Sequence, residues 1–189
     1  MPVRKTIPYS RGTFFITFTC KDRIPIIDLC GGYDVVYEWF NILQSNGHFV
    51  NGYVIMPNHV HVIITFIDAQ QKINTIIGNG KRFMAYAFVK RLRESKYVKL
   101  LKRLHRSVEL TRKKKKKLHD IWEISFVWKH CLNDRFTHQK LNYIHSNPCS
   151  GKWSLSPTCE DYLYSSASFY SKGIQGAFLV DAIELMKDV

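Results

Sequence analysis

The sequence predicts an α+β domain, an antiparallel sheet with helices packed on it. Three observations carry that prediction. TFFITFTC at 13–20 is aromatic and β-branched, the composition of a buried strand. Two further strand-like runs, 48–55 and 59–66, flank Met56-Pro57-Asn58 and read as a hairpin with a proline-containing turn. Between and after these runs, the apolar residues recur at helical spacing. A chain of 189 residues that is 46% hydrophobic and 23% charged can bury a core, which excludes global disorder. The expected organisation is one domain over 1–189, with 96–120 a basic helix and lysine-rich insertion.

Each element has a local reason. Gly31 and Gly32 punctuate the chain, and 33–45 follows as a helix with Val36, Trp39, Phe40 and Leu43 on one side and Gly47 as its C-cap. Residues 74–95 are helical in pattern, and 137–147 form a late helix closed by Pro148. The stretch 152–170 is loop-rich, and 177–180 is expected to return as a short strand. The longest apolar run, 60–67, is interrupted by His61 and Thr65 and is far short of a membrane span. The first twelve residues lack the apolar stretch of a secretion signal. Five widely spaced cysteines with no CxxC pair read as reduced thiols of a cytoplasmic chain.

The formal net charge is +13, and its distribution is uneven. Residues 81–117 hold sixteen Lys and Arg against Glu94 and Glu109, while the remainder of the chain is close to neutral. A near-neutral body with one cationic stretch is suited to a polyanion, most commonly a phosphate backbone. Within 96–108, Tyr97, Leu101, Leu104 and Val108 fall on one helical arc and Lys96, Lys99, Lys102, Arg103 and Arg106 on the opposite one. An ordinary solvated helix balances such lysines with Glu at i,i+4, and here almost none is present. The basic residues expected to touch nucleic acid are therefore Lys81, Arg82, Lys90, Arg91, Lys96, Lys99, Lys102, Arg103 and Arg106. The run RKKKKK at 112–117 repels itself and reads as a tether or insertion.

Gly78-Asn79-Gly80-Lys81 imitates the end of a phosphate-binding loop, but Thr75 stands where glycine is required and Arg82 where Ser or Thr must follow. His59-Val60-His61 is a different matter. In a strand, alternate residues share a face, so the two imidazoles point together and can hold one divalent cation with a third ligand from elsewhere. Two histidines on an otherwise apolar strand need a reason to be polar. On the late helix, Tyr143 and Asn147 are four apart and share a face, whereas His145 points away and reads as structural. Either motif alone has a bland explanation: incidental histidines, a packing tyrosine, an asparagine that merely stops a helix.

Together, MPNHVHVII, KLNYIHSNPCSGKW and EDYLYSSASFY resemble, in order and spacing, the REP-associated tyrosine transposases, within the single-tyrosine HUH transposases of bacterial insertion sequences. The resemblance runs from about Phe14 to about Tyr170. It implies an HUH-endonuclease fold with a ferredoxin-like palm, metal-dependent cleavage of single-stranded DNA and a covalent 5′-phosphotyrosine. By matching positions it implies Tyr143 as nucleophile, His59 and His61 as the metal pair and Asn147 as third ligand; two neutral imidazoles and an amide oxygen suit Mg²⁺ or Mn²⁺ as the cation. The implied partner is single-stranded DNA, with hairpin-forming element ends and a possible homodimer. The chain departs from the family at Cys149, Ser150, Gly151 and Lys152, where Val-Lys-Ala-Gly is usual, and in its Lys113–Lys117 run.

The chemistry suits these residue types. Strand joining without ATP requires the energy of the broken phosphodiester to be kept, and a tyrosine ester keeps it. A phenol ionises near pKa 10, so most of the help must come from a cation that polarises the phosphate. Two other classes compete: a non-catalytic, domesticated nucleic-acid-binding protein, and a replication initiator or relaxase, whose extra helicase or origin-binding regions 189 residues leave no room for.

Overall fold

The computed structural model describes residues 6–108, 118–151 and 153–186. The run 112–117 and Lys152 lie outside the described residues. Four strands form one antiparallel sheet in the order β2-β3-β1-β4: β1 Gly12–Thr19, β2 Phe49–Met56, β3 His59–Phe66 and β4 Val127–His130. The helices are α1 Ile26–Leu29, α2 Tyr33–Ser45, α3 Ile73–Glu94, α4 Val98–Arg106, α5 Asp134–Ser146 and α6 Ala167–Lys172. The expected α+β class is the observed one. Among the described residues, no helix is long and apolar enough to cross a membrane.

The pleat divides the sheet into two unlike faces. Phe14, Ile16 and Phe18 of β1, with Val60, Val62 and Ile64 of β3, face α2 and α3 and form the main core with Trp39, Phe40, Met84 and Phe88. The alternate set, Phe15, Val54, Met56 and Ile63, forms a smaller core under Leu141 and Ile144 of α5. Two glycines set how closely these layers approach. A Cβ on Gly80 would come within 2.2 Å of the Trp39 indole, so the α2–α3 crossing requires glycine there. A Cβ on Gly52, beside an irregularity in the β2–β3 register, would come within 2.5 Å of a Leu141 methyl, so α5 can lie flat on β2 only over a bare backbone.

The hairpin turn is as expected and is tied down at both residues. The Pro57 carbonyl accepts from the amides of Ile27 and Asp28, and the Asn58 side chain donates to the Arg23 carbonyl at 2.8 Å. Two sequence expectations change. Residues 177–180 do not form a strand: the Gln175 side chain satisfies both backbone groups of Val180, and Phe178 inserts among Tyr37, Phe40 and Tyr53. The bonds to β2 come one residue later, at Asp181, whose amide donates to the Val50 carbonyl while its carboxylate accepts from the Val50 amide and its carbonyl from the Asn51 side chain. The second change is β4, which the sequence reading did not foresee. It is four residues long and, among the described residues, pairs with β1 alone, at the edge of the sheet.

Candidate functional site

His59 and His61 sit at the start of β3, on the face that carries Phe15, with Thr19 and Thr17 of β1 directly opposite them. Their rings are 4.6 Å apart between centroids. The flanking chain sets their tautomers. The His59 Nδ1–H donates to Asn58 Oδ1 at 2.6 Å, an atom that can only accept. The Asn147 amide nitrogen lies 3.4 Å from His61 Nε2, and in the tautomer that accepts from it the His61 Nδ1–H donates to Thr17 Oγ1 at 2.6 Å. Both imidazoles therefore turn an Nε2 lone pair away from the turn and from β1. Burial pushes the pKa of His59 down to about 4 and that of His61 to about 3, so both rings are neutral at neutral pH.

α5 delivers the second half of the site. Asn133 caps it, its side chain accepting from the Phe136 amide at 2.9 Å, and Leu141 and Ile144 pin it to the sheet. This orientation brings the Tyr143 ring edge-on to His61, with centroids 5.3 Å apart and planes at 70°. Phe15 forms the floor, stacked on His61 at 5.6 Å and edge-on to Tyr143 at 6.0 Å. The Tyr143 side is open, the residue being 50% exposed. One helical turn on, Asn147 reaches both imidazoles, through its contact with His61 and a hydrogen bond that opposes the lowering of the His59 pKa. His145 points the other way, buried with Nε2 2.9 Å from Ser166 Oγ, as its position on the helix predicts.

The donor set fits a divalent cation. Two neutral imidazoles offer Nε2 lone pairs from one face, each held by a partner on its other nitrogen, which is the arrangement that orients metal-binding histidines. Rotation of the Asn147 amide about its terminal bond would turn its oxygen toward them. Among the described residues, no third His, Cys, Asp or Glu converges on the pair, and the Asn147 amide is the group from α5 that contacts it.

The basic residues are elsewhere. α3 and α4 pack on the opposite face of the sheet from the two histidines. Arg82, Lys90, Lys96, Lys99, Lys102 and Arg106 are exposed there. Arg82, Tyr86, Lys90 and Arg93 also line a groove of about 1240 Å³ between α3 and the 118–126 segment. Three residues of the expected set have intramolecular duties. Lys81 is buried, its ammonium donating to the Glu123 carbonyl at 3.0 Å. Arg91 makes a bidentate pair with Asp34 at 2.6 Å, and Arg103 pairs with Asp22 at 3.0 Å. Sequence reasoning also missed Phe15, Thr17 and Asn58, which hold the imidazoles, and Lys140. The last had a visible signal, since it lies three residues before Tyr143 on the same helix.

The fold is shared with a solved structure. A REP-associated tyrosine transposase bound to a REP hairpin superposes with a TM-score of 0.62 over 97% of this chain and 93% of that one, at 16% identity. A candidate transposase from Deinococcus radiodurans R1 gives a TM-score of 0.39 over 75% of this chain and 95% of that one, at 15% identity. No family model and no curated protein matches the sequence.

Proposed function

We propose that this chain is a transposase of the single-tyrosine kind, which cleaves and rejoins single-stranded DNA through a 5′-phosphotyrosine on Tyr143. The observation that carries the reading is the meeting, within one chain, of the Tyr143 ring, two neutral imidazoles and the Asn147 amide on one face of the sheet. Tyr143 is half-exposed and rests edge-on against Phe15 and His61, while the polar groups beside it are held by β1 and the hairpin turn. The shared fold with a hairpin-bound tyrosine transposase supports DNA, and hairpin-forming ends, as the partner. Because all four groups belong to one chain, the reading is of cleavage in cis.

In this reading, Tyr143 attacks the phosphorus while Phe15 holds the phenol at a fixed angle to His61. His59, His61 and Asn147 would hold Mg²⁺ or Mn²⁺. The cation, when bound, polarises a non-bridging phosphate oxygen and stabilises the departing 3′-oxygen. Neutral ligands leave its charge intact. Thr17 and Asn58 keep the lone pairs turned outward, and the exposed cations of α3 and α4 would track DNA beyond the cut, on the far side of the sheet.

The test is adduct formation on a labelled single-stranded oligonucleotide bearing the flanking repeat of the element. The wild-type chain should form an adduct that EDTA abolishes. Tyr143→Phe should form none while binding the oligonucleotide within about twofold of wild type, as expected when a transition-state group alone is removed. An adduct that persists in Tyr143→Phe removes the nucleophile. Undiminished binding with no adduct in the wild type leaves the non-catalytic reading, which the separation of the basic face from the tyrosine face would accommodate.

A further inference from the structure

We infer that Lys140 is a phosphate-binding residue of this site, its ammonium meeting the non-bridging oxygens of the phosphodiester that Tyr143 attacks. The inference rests on the strand-cleaving reading above. Lys140 stands three residues before Tyr143 on α5, on the same side of the helix. Its ammonium lies over three aromatic rings, 5.0 Å from the Phe136 centroid, 5.4 Å from Phe15 and 5.8 Å from Tyr143. Ring faces attract a cation and fix its position without neutralising it. Among the described residues, no carboxylate lies within ion-pair distance of it, whereas Lys21, Arg91 and Arg103 each have one.

Among the described side chains in ring contact with Tyr143, which are Lys140, Phe15 and His61, Lys140 is the one that brings a formal charge. Lys129, directly across from Phe15 in the β1–β4 pairing, is exposed on the same face and extends the positive potential toward the β4 edge of the sheet. A preorganised cation with no counter-ion beside an exposed nucleophile calls for an anion, and a phosphodiester brings one.

In the cleavage step, the bond from Tyr143 Oη to phosphorus forms as the bond from phosphorus to O3′ breaks. The phenol gives up its proton and the 3′-oxygen takes one up, so the phosphate begins and ends as a singly charged diester. Between those states, negative charge gathers on the reacting oxygens, and a fixed donor contributes most at that moment. A lysine that merely braced α5 by stacking would contribute to stability and leave the chemical step alone.

The experiment uses the full chain, a single-stranded oligonucleotide and Mn²⁺ under single-turnover conditions, with Lys140→Met and Lys140→Arg beside wild type. Three quantities are read: adduct rate at saturating protein, oligonucleotide Kd and melting temperature. Lys140→Met should slow the adduct about 30-fold while Kd moves less than about threefold and the melting temperature holds; Lys140→Arg should recover most of the rate. A Lys140→Met rate equal to wild type overturns the proposal, and so does a loss that tracks a fallen melting temperature and that arginine does not restore. If wild type and Tyr143→Phe alike form no adduct, the strand-cleaving reading itself fails, and Lys140 loses its role with it.

Discussion

Thr17→Val tests whether β1 sets the metal affinity of this site. Valine keeps the β-branched shape and strand preference of threonine but removes Oγ1, the acceptor 2.6 Å from His61 Nδ1. His61 is 5% exposed, so water cannot readily replace that acceptor. Two costs follow. An unsatisfied buried N–H lowers the stability of the metal-free protein by about 1–2 kcal/mol. The proton is also free to move to Nε2, the nitrogen required for the cation. Loss of such an outer partner weakens metal binding by about 10- to 100-fold, or about 1.4–2.8 kcal/mol. Calorimetric titration of Mn²⁺ into wild type and Thr17→Val would measure the affinity, and urea denaturation in EDTA the stability. An Mn²⁺ Kd within twofold of wild type would refute the claim that Thr17 fixes the ligand geometry of His61. Thr19 stands opposite His59, whose Nδ1 bonds instead to Asn58, so Thr19→Val should leave Mn²⁺ affinity nearly unchanged.

Two further outcomes are expected. Burial holds the pKa of His145 at about 4, below its ordinary value near 6.5, so the unfolded chain binds the proton more readily. Stability from this residue is complete above pH 6.5 and is lost as the pH falls toward 4, with a slope near 1.4 kcal/mol per pH unit and about 2 kcal/mol gone by pH 5. Denaturation between pH 7 and pH 5 should therefore show a shallower fall in His145→Asn, and an unchanged slope would exclude a buried neutral His145. On the opposite face, replacing Lys99, Lys102 and Arg106 together by alanine should reduce the log–log salt dependence of single-strand binding by about two, at about 0.7 per phosphate contact. An unaltered slope would mean that α4 does not follow the backbone.

Much of the site was legible because its signals are local. Alternation along a strand is enough to point His59 and His61 the same way, and a four-residue interval on a helix is enough to align Tyr143 with Asn147. The same rules assigned His145 to the structure, where its bond to Ser166 now accounts for it. The glycine of the P-loop imitation has a reason only the packing shows: Gly80 is required by the Trp39 indole at a helix crossing. The basic segment was legible as charge but not as an arrangement. Lys81 is identical in sequence terms to its neighbours, yet the 118–126 segment buries it against a carbonyl of Glu123, and Asp34 occupies Arg91 from 57 residues away.

The sequence by itself determined the fold class, the positions of the strands and helices that bear the polar motifs, and the pairing of those motifs within each element. These follow from side-chain periodicity and from turn residues, which act over a few positions. Only the tertiary structure decided that β3 and α5 bring their halves of the site together, with a bare Gly52 letting the helix down onto the sheet. It alone decided that the cationic helices lie on the other face, that Phe15 and Phe136 cage Lys140, and that Thr17 holds the His61 tautomer. The physical reason is that periodicity says which residues of an element share a side, while strand order and long-range packing say what that side meets.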